Sequence, residues 1–321
     1  MRFLLTLLIA ALLSAPAALA DATIQQKTQL HFGGAIGSVI NVFGRKATHE
    51  GVVTDVTIYK NRKSSRSGET AEIVDLDAQK IYYVDYDDRT YKVKTFDELR
   101  KEYEDAKARA KEREEKTSTT AEKNEGPEYE VDFSLKSTGN KETINGWDTH
   151  EEIATVTVHE KGKKLEESGG FVLTSDMWMG PRIPAMRELS DFEQKFIRKV
   201  YGDAFLGDMR QMAAMMATTP AFAKAMKTFN DKQGKLDGTA IRTKMTFESV
   251  AGTNPDSSTQ PQPSSPAGAL GGLLGRMKQR RQKDENGVSR GTLLDSNHEI
   301  LKATAGAYPD AVAIPANFKL R

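Results

Sequence analysis

Side chains that commonly carry out chemistry are sparse in this chain. It contains five histidines and no cysteine, which excludes zinc–thiolate sites, cysteine nucleophiles and disulfide-stabilised scaffolds. The histidines do not form an H-E-x-x-H metal motif, and no G-x-S-x-G turn presents a serine nucleophile. We therefore expect no metal site, no cofactor and no catalytic residues. A hydrolase built from a distant serine, histidine and aspartate is our third hypothesis, because triads are defined by geometry and not by chain order.

Methionines form the one concentrated set of possible ligands, at Met209, Met212, Met215 and Met216. Thioethers bind copper in some proteins, but no histidine accompanies this cluster. Methionine also fills pliable cores and grooves. We interpret the cluster as the lining of a core or groove.

Two glycine-rich segments, 33–46 and 268–283, place apolar residues before basic ones. The glycines of the first segment match neither G-x-G-x-x-G nor the phosphate-binding loop. Two interpretations remain open for the pair: loops that contact lipid with cations near the headgroups, or flexible loops that pack on the protein.

Residues 1–20 have the organisation of an export signal. Arg2 is followed by an apolar run at 3–13 and by the A-x-A sequence at 18–20, where signal peptidase cleaves. The run is too short to span a bilayer. We expect cleavage after Ala20, a periplasmic or secreted product, and no integral membrane span in the mature chain.

The charge balance and length indicate one domain without affinity for nucleic acid. There are 46 Lys and Arg against 45 Asp and Glu, and a neutral chain has no general attraction to polyanions. We expect a single half-barrel domain over 21–321. Its polar parts are a charged helix at 95–116, a flexible connection at 117–127 and a disordered insertion at 252–286.

Alternation of apolar and polar residues predicts most of the strands. A meander of three strands at 72–94 is the clearest case, and the stretch at 61–70 is predicted to be a basic, serine-rich loop. The other predicted strands are 23–32, 52–59, 128–136, 151–159, 170–179 and 241–247, with two more around 287–303 and 311–319.

Capping boxes predict where the helices begin. Thr95 and Glu98 cap the charged helix, and Ser190 and Glu193 are predicted to cap the first helix of a hairpin. A second helix of this hairpin is expected after Pro220.

Four stretches together resemble an uncharacterised family of exported bacterial proteins that looks like the LolA-type lipoprotein carriers. They are VDLDAQKIYYVDYDDRTYKVKTFDEL, TINGWDTHEEIATVTV, SDMWMGPRIPAMREL and AVAIPANFKL. The resemblance implies an α+β fold with a strongly curved antiparallel sheet, an incomplete β-barrel, and helices on its concave face. In the carriers that hollow shields acyl chains. The long charged helix and the insertion depart from the family pattern.

Our leading hypothesis is an exported, non-catalytic protein that binds an apolar or amphiphilic, lipid-like ligand between sheet and helices. The residues expected to line the site are Phe133, Leu135, Trp178, Phe192, Phe196, Val200, Met212 and Met216. The second hypothesis is a structural or interaction protein of the cell envelope. In that case side chains fill the hollow and the charged helix contacts an envelope protein.

Overall fold

The computed structural model describes residues 21–33, 50–118, 128–217, 227, 231, 236–252, 282–283 and 289–321. The expected signal peptide lies outside the described residues. So do most of the connection at 117–127, most of the two glycine-rich segments and of the insertion at 252–286, and most of the second hairpin helix.

The dominant feature is one large, open antiparallel sheet, which confirms the α+β class. Its strands are β1 (Ala22–Phe32), β2 (Val52–Tyr59), β3 (Arg62–Ser67), β4 (Thr70–Asp75), β5 (Lys80–Asp85), β6 (Thr90–Thr95), β7 (Tyr129–Ile144), β8 (Trp147–Glu160), β9 (Gly169–Gly180), β10 (Thr239–Ala251), β11 (Gln282–Lys283), β12 (Ser289–Ala305) and β13 (Lys319–Leu320). The order across the sheet is β13-β6-β5-β4-β3-β2-β1-β12-β10-β9-β8-β7, and β11 pairs with β12. The short β13 runs parallel to β6.

Three α-helices accompany the sheet within the described residues: α1 (Phe96–Ser118), α2 (Leu165–Ser168) and α3 (Pro184–Ala217). The predicted cap of α1 is confirmed. The Thr95 amide donates to the Glu98 carboxylate at 2.6 Å, and the Glu98 amide donates to the Thr95 hydroxyl at 3.2 Å. A non-helical residue, Gly202, kinks α3.

The sheet has two distinct faces because successive side chains of a strand point to opposite sides. One face, which we call the helix face, packs against α3 over β1, β2 and β12, and α1 lies against α3 and β6. The other, the tail face, is covered over β3–β5 by the C-terminal segment. Ile314 and Phe318 pack there against Ala71, Ile73 and Val84.

The helix face of β2–β5 is filled by side chains from α1 and α3. Phe96 and Val200 have no exposed surface, and Phe192 is only 3 % exposed. These residues form one cluster with Ile58, Val74, Leu76 and Ile81. The rings of Phe96 and Phe196 meet edge to face at 5.4 Å. This part of the sheet is therefore an ordinary packed core.

The prediction of a loop at 61–70 is wrong, because most of this stretch is β3 and the start of β4. The strand pairs with β2 on one side and β4 on the other, and Ser64 is buried. It lacks apolar alternation because Lys63 on the helix face bonds to Glu193 of α3 and lies over the Phe192 ring. At this position an ion pair takes the place of the apolar contact that alternation of apolar and polar residues would predict.

Two further predictions are also wrong. The helix expected to begin after Ser190 begins at Pro184, and the Ser190 hydroxyl instead accepts a bond from Gln194. Proline is well suited to the first position of a helix because its missing N–H has no helical partner there. The strand expected at 311–319 is a 3-10 turn, Pro309–Val312, followed by the two residues of β13.

Candidate ligand-binding face

A row of apolar side chains crosses six adjacent strands on the helix face of β7–β12 and β1. The pairing register joins each residue to the next. We call this set the apolar row: Phe133, Val156, Leu173, Phe247, Leu294 and Phe32. Five spacings of about 4.8 Å give a width of ~24 Å. That exceeds one leaflet of a bilayer whose hydrocarbon core is ~30 Å thick.

Neighbouring rows extend the apolar surface. On one side are Val131, Val158 and Phe171, and the Phe171 ring stacks on Phe247 at 5.8 Å. On the other side are Leu135 and Met245. Each residue of the apolar row is partly exposed, whereas the corresponding core under α1 is buried. The surface is thus apolar without being closed like a core.

The same strands are polar on the tail face. Asp132 and Ser134 of β7 are exposed and alternate with Val131 and Phe133. Thr155, Thr174 and Thr246 form a hydroxyl row across β8, β9 and β10. The tail face of these strands is therefore more polar than the helix face, although Val172 and Val250 are buried there beside Leu165 of α2.

A cavity of about 810 Å³ lies between the start of α3 and the helix face of β10 and β12. Its walls include Ile183, Pro184 and Met186 from the chain around the start of α3. Arg182 and Arg187 also line it. Arg182 donates to Asp237 at 2.8 Å, and Arg187 lies 3.9 Å from Asp191. The volume is in the range of small-molecule sites.

The sheet side of this cavity carries a neutral polar pair. His298 and Thr243 line it, and the His298 Nε2 lies 3.3 Å from the Gln26 side-chain oxygen. Burial lowers the pKa of His298 below its ordinary value, because a charged imidazole loses hydration there. The ring is therefore neutral at physiological pH, and the cavity offers hydrogen bonds without charge at this point.

The residues expected to line one site fall into separate places. Phe133 and Leu135 lie on the helix face of β7, where Phe133 is partly exposed and Leu135 is buried, whereas Phe192, Phe196 and Val200 belong to the packed core under α1. Trp178 is paired with Arg242, whose guanidinium lies 5.0 Å from the indole ring. Met212 and Met216 belong to α3, but their side chains lie outside the described residues.

Sequence reasoning missed five residues of the apolar row: Val156, Leu173, Phe247, Leu294 and Phe32. Each stands in a strand with period-two alternation, so its face could be found locally. The pairing that brings these strands side by side could not be found from local sequence, because β1 lies between β2 and β12, which are far apart in the chain.

No family model matches the chain, and no curated protein sequence matches it. Among the described residues, no three His, Asp or Glu side chains are grouped to hold a metal ion. In the same residues, no helix combines the length and the apolarity needed to cross a bilayer.

Proposed function

We propose that this protein binds an apolar or amphiphilic, lipid-like ligand on the helix face of β7–β12, as a non-catalytic, exported carrier or sensor. The observation that carries the proposal is the apolar row. Apolar surface left in water costs about 25 cal/mol per Å², and a contiguous patch of this kind is typical of a binding surface.

The cavity beside α3 supports an amphiphilic ligand in particular. It lies on the same face and offers apolar contacts from Ile183 and Met186, with His298 and Thr243 as neutral hydrogen-bonding partners. Arg182 and Arg187 provide charge at its border. A chain on the apolar row and a polar group in this cavity would satisfy both parts of such a molecule.

We also propose that the sheet curves around the ligand, as the resemblance to LolA-type carriers implies, with the helices on its concave side. The turn between β7 and β8 supports this curvature. There Asn145 donates to the Glu299 carboxylate at 2.8 Å and to the Ile300 carbonyl at 2.9 Å. These acceptors belong to β12, three strands from β8 in the sheet order. A flat sheet would keep them about 14 Å apart.

The test is native mass spectrometry of residues 21–321, exported from a bacterial host and purified without detergent. We expect a satellite mass that dissociates as a lipid. Val156→Asp should abolish it, because the charge would enter the apolar row. Thr155→Asp is the matched control, since it lies next in the same strand on the polar tail face, and it should retain the ligand.

A bare mass that does not change after incubation with mixed lipids would contradict the proposal. Equal loading of the two variants would also contradict it. The bare mass would favour the second candidate, an envelope interaction protein with a filled core. The observation that favours this second candidate is the burial of Phe192 and Val200 under α1.

A further inference from the structure

The tip of the β7–β8 hairpin folds back against β10 and β12. We define the hairpin tip as residues 142–149. Its turn is formed by Asn145 and Gly146 with φ of 52° and 87°, which suits a two-residue hairpin. Besides the Asn145 bonds to β12, Glu142 pairs with Arg242 of β10 at 2.8 Å. The tip is therefore held by strands that are not its neighbours in the sheet.

A β-bulge in β7 allows this fold. The pairing of β7 with β8 shifts between Ser137 and Lys141, and Gly139 within it has a φ of 83°. Bulges bend a strand and increase its twist. The hairpin tip thus pivots on the bulge, and any interaction at the bulge influences the tip.

Two carboxyl groups meet beside the bulge. Glu151 of β8 accepts bonds from the Thr138 hydroxyl at 2.6 Å and the Asn140 amide at 2.8 Å, both within the bulge. The Asp176 carboxyl of β9 is the diagonal neighbour of Glu151 on the same face of the sheet, and its Oδ1 is buried without a hydrogen-bond partner. Two carboxyls can share a hydrogen bond only when one of them keeps a proton.

The surroundings decide which carboxyl keeps the proton. Burial, followed by the negative charge of Glu151, raises the pKa of Asp176. Bonds from Thr138 and Asn140 lower the pKa of Glu151. Asp176 is therefore the proton donor and Glu151 the acceptor.

Other charged groups face this pair from the neighbouring strands, on the same side of the sheet. Arg242 and Lys244 of β10 act against the proton on Asp176. The remaining groups are Lys136 and Glu142 of β7 and Asp295 and Glu299 of β12. Arg242 is paired with Glu142, so its charge is largely compensated.

We propose that Asp176 and Glu151 form a proton-controlled latch, which holds the hairpin tip against β10 and β12 while the two carboxyls share a proton and loosens it when that proton is lost. A proton between the carboxyls gives a hydrogen bond, whereas its loss leaves two negative charges in contact. Because the pKa of Asp176 is raised on folding, its contribution is complete below the ordinary aspartate pKa. That contribution is lost as the pH rises through the raised value.

The latch is connected to the cavity beside α3 through one buried cluster. Ile144 of the hairpin tip belongs to the same cluster as Ile183 and Ala185, and Met186 packs against it. Ile183 and Met186 also line the cavity. If the ligand proposed above occupies this cavity, release of the tip gives a pH-dependent exit for it. Only this consequence rests on the proposed function.

The two tryptophans of the chain provide a direct readout. Trp147 of the hairpin tip and Trp178 of β9 both pack against that cluster, so tryptophan fluorescence reports on the contact between the tip and the cluster. In the ligand-free protein we expect emission to shift to longer wavelength as the pH rises through the raised pKa of Asp176. The opening constant should change by up to about tenfold per pH unit, as for one proton.

Asp176→Asn keeps a neutral donor next to Glu151, so its emission should stay at short wavelength over the whole range. Asp55→Asn is the matched control, because Asp55 lies on the same face but bonds to Gln25, and it should keep the wild-type profile. Hydrogen exchange of the amides at 142–149 should follow the same profile. A wild-type protein without a transition, or an Asp176→Asn protein that retains it, would overturn the latch. Absence of a bound lipid would count only against the proposed function.

Discussion

At the residue scale, phenylalanine has two different roles depending on where it lies in the fold. Phe96 is buried completely between α1, α3 and the sheet, whereas Phe133 and Phe247 are partly exposed in the apolar row. Phe96 is the first residue of α1, whereas Phe133 and Phe247 lie in alternating strands. The packing of α1 and α3 on the sheet buries Phe96, whereas Phe133 and Phe247 remain partly exposed in the apolar row.

This difference can be measured by shortening single side chains to alanine. Phe96→Ala should reduce the free energy of unfolding by about 3–5 kcal/mol, the usual cost of deleting a buried ring. Tyr308→Ala is the control, because Tyr308 is 79 % exposed, and it should cost less than about 0.5 kcal/mol. Urea unfolding of the two variants checks the prediction, and similar midpoints would contradict the assignment of Phe96 to the core.

At the element scale, local signals determined where α1 begins but misplaced the start of α3. The Thr95–Glu98 capping box forms with both of its hydrogen bonds. The equally good pattern at Ser190 and Glu193 lies inside a helix, because Pro184 starts it earlier and Glu193 bonds to Lys63 of β3. Glu193, which would complete a capping box with Ser190, is instead bonded to Lys63 in a tertiary contact.

Substitutions at the two serine or threonine positions should therefore differ. Thr95→Ala should cost about 1 kcal/mol, as is common for a helix N-cap, whereas Ser190→Ala should change stability little. Bonds from the Thr95 amide and hydroxyl hold the pKa of Glu98 below its ordinary value. The stabilisation from this carboxylate is thus present above the ordinary pKa and is lost as the pH falls through the lowered one.

Thermal unfolding of both variants across that acidic range is the measurement. The penalty for Thr95→Ala should shrink as the pH falls, because protonated Glu98 no longer completes the box. An equal penalty at both positions would show that α1 does not depend on its cap.

At the scale of the whole molecule, the C-terminal segment completes the tail face. Val312 is 1 % exposed, Phe318 meets Tyr86 edge to face at 5.4 Å, and the Arg321 amide donates to the Tyr91 carbonyl. Ile314 and Phe318 of this segment cover Ile73 and Val84, which would otherwise be open to solvent.

Removal of residues 309–321 should therefore uncover an apolar surface. We expect increased binding of a hydrophobic dye and a melting temperature lower by roughly 5–10 °C, given 2–4 °C per kcal/mol for chains of this size. Removal of Arg321 alone is the control and should change either quantity little. An unchanged melting temperature after the longer truncation would mean that the C-terminal segment contributes little to the stability of the sheet.

The amino-acid sequence by itself determined the local elements of this protein. Alternation of apolar and polar residues located most strands, and a capping box located α1, because both signals depend on residues close together in the chain. The sequence also placed Phe133 and Leu135 on an apolar face of β7. It could not locate β3, since Lys63 there is satisfied by a glutamate 130 positions away.

Only the tertiary structure decided which apolar faces are filled and which form a surface. The apolar row exists because β1 pairs with β12 across most of the chain length, and no local pattern encodes that pairing. The contact between Glu151 and Asp176 likewise depends on the bulge in β7 and on the register of β8 with β9. Long-range pairing joins separate alternating strands into one sheet face that carries the apolar row, and that arrangement positions the candidate site.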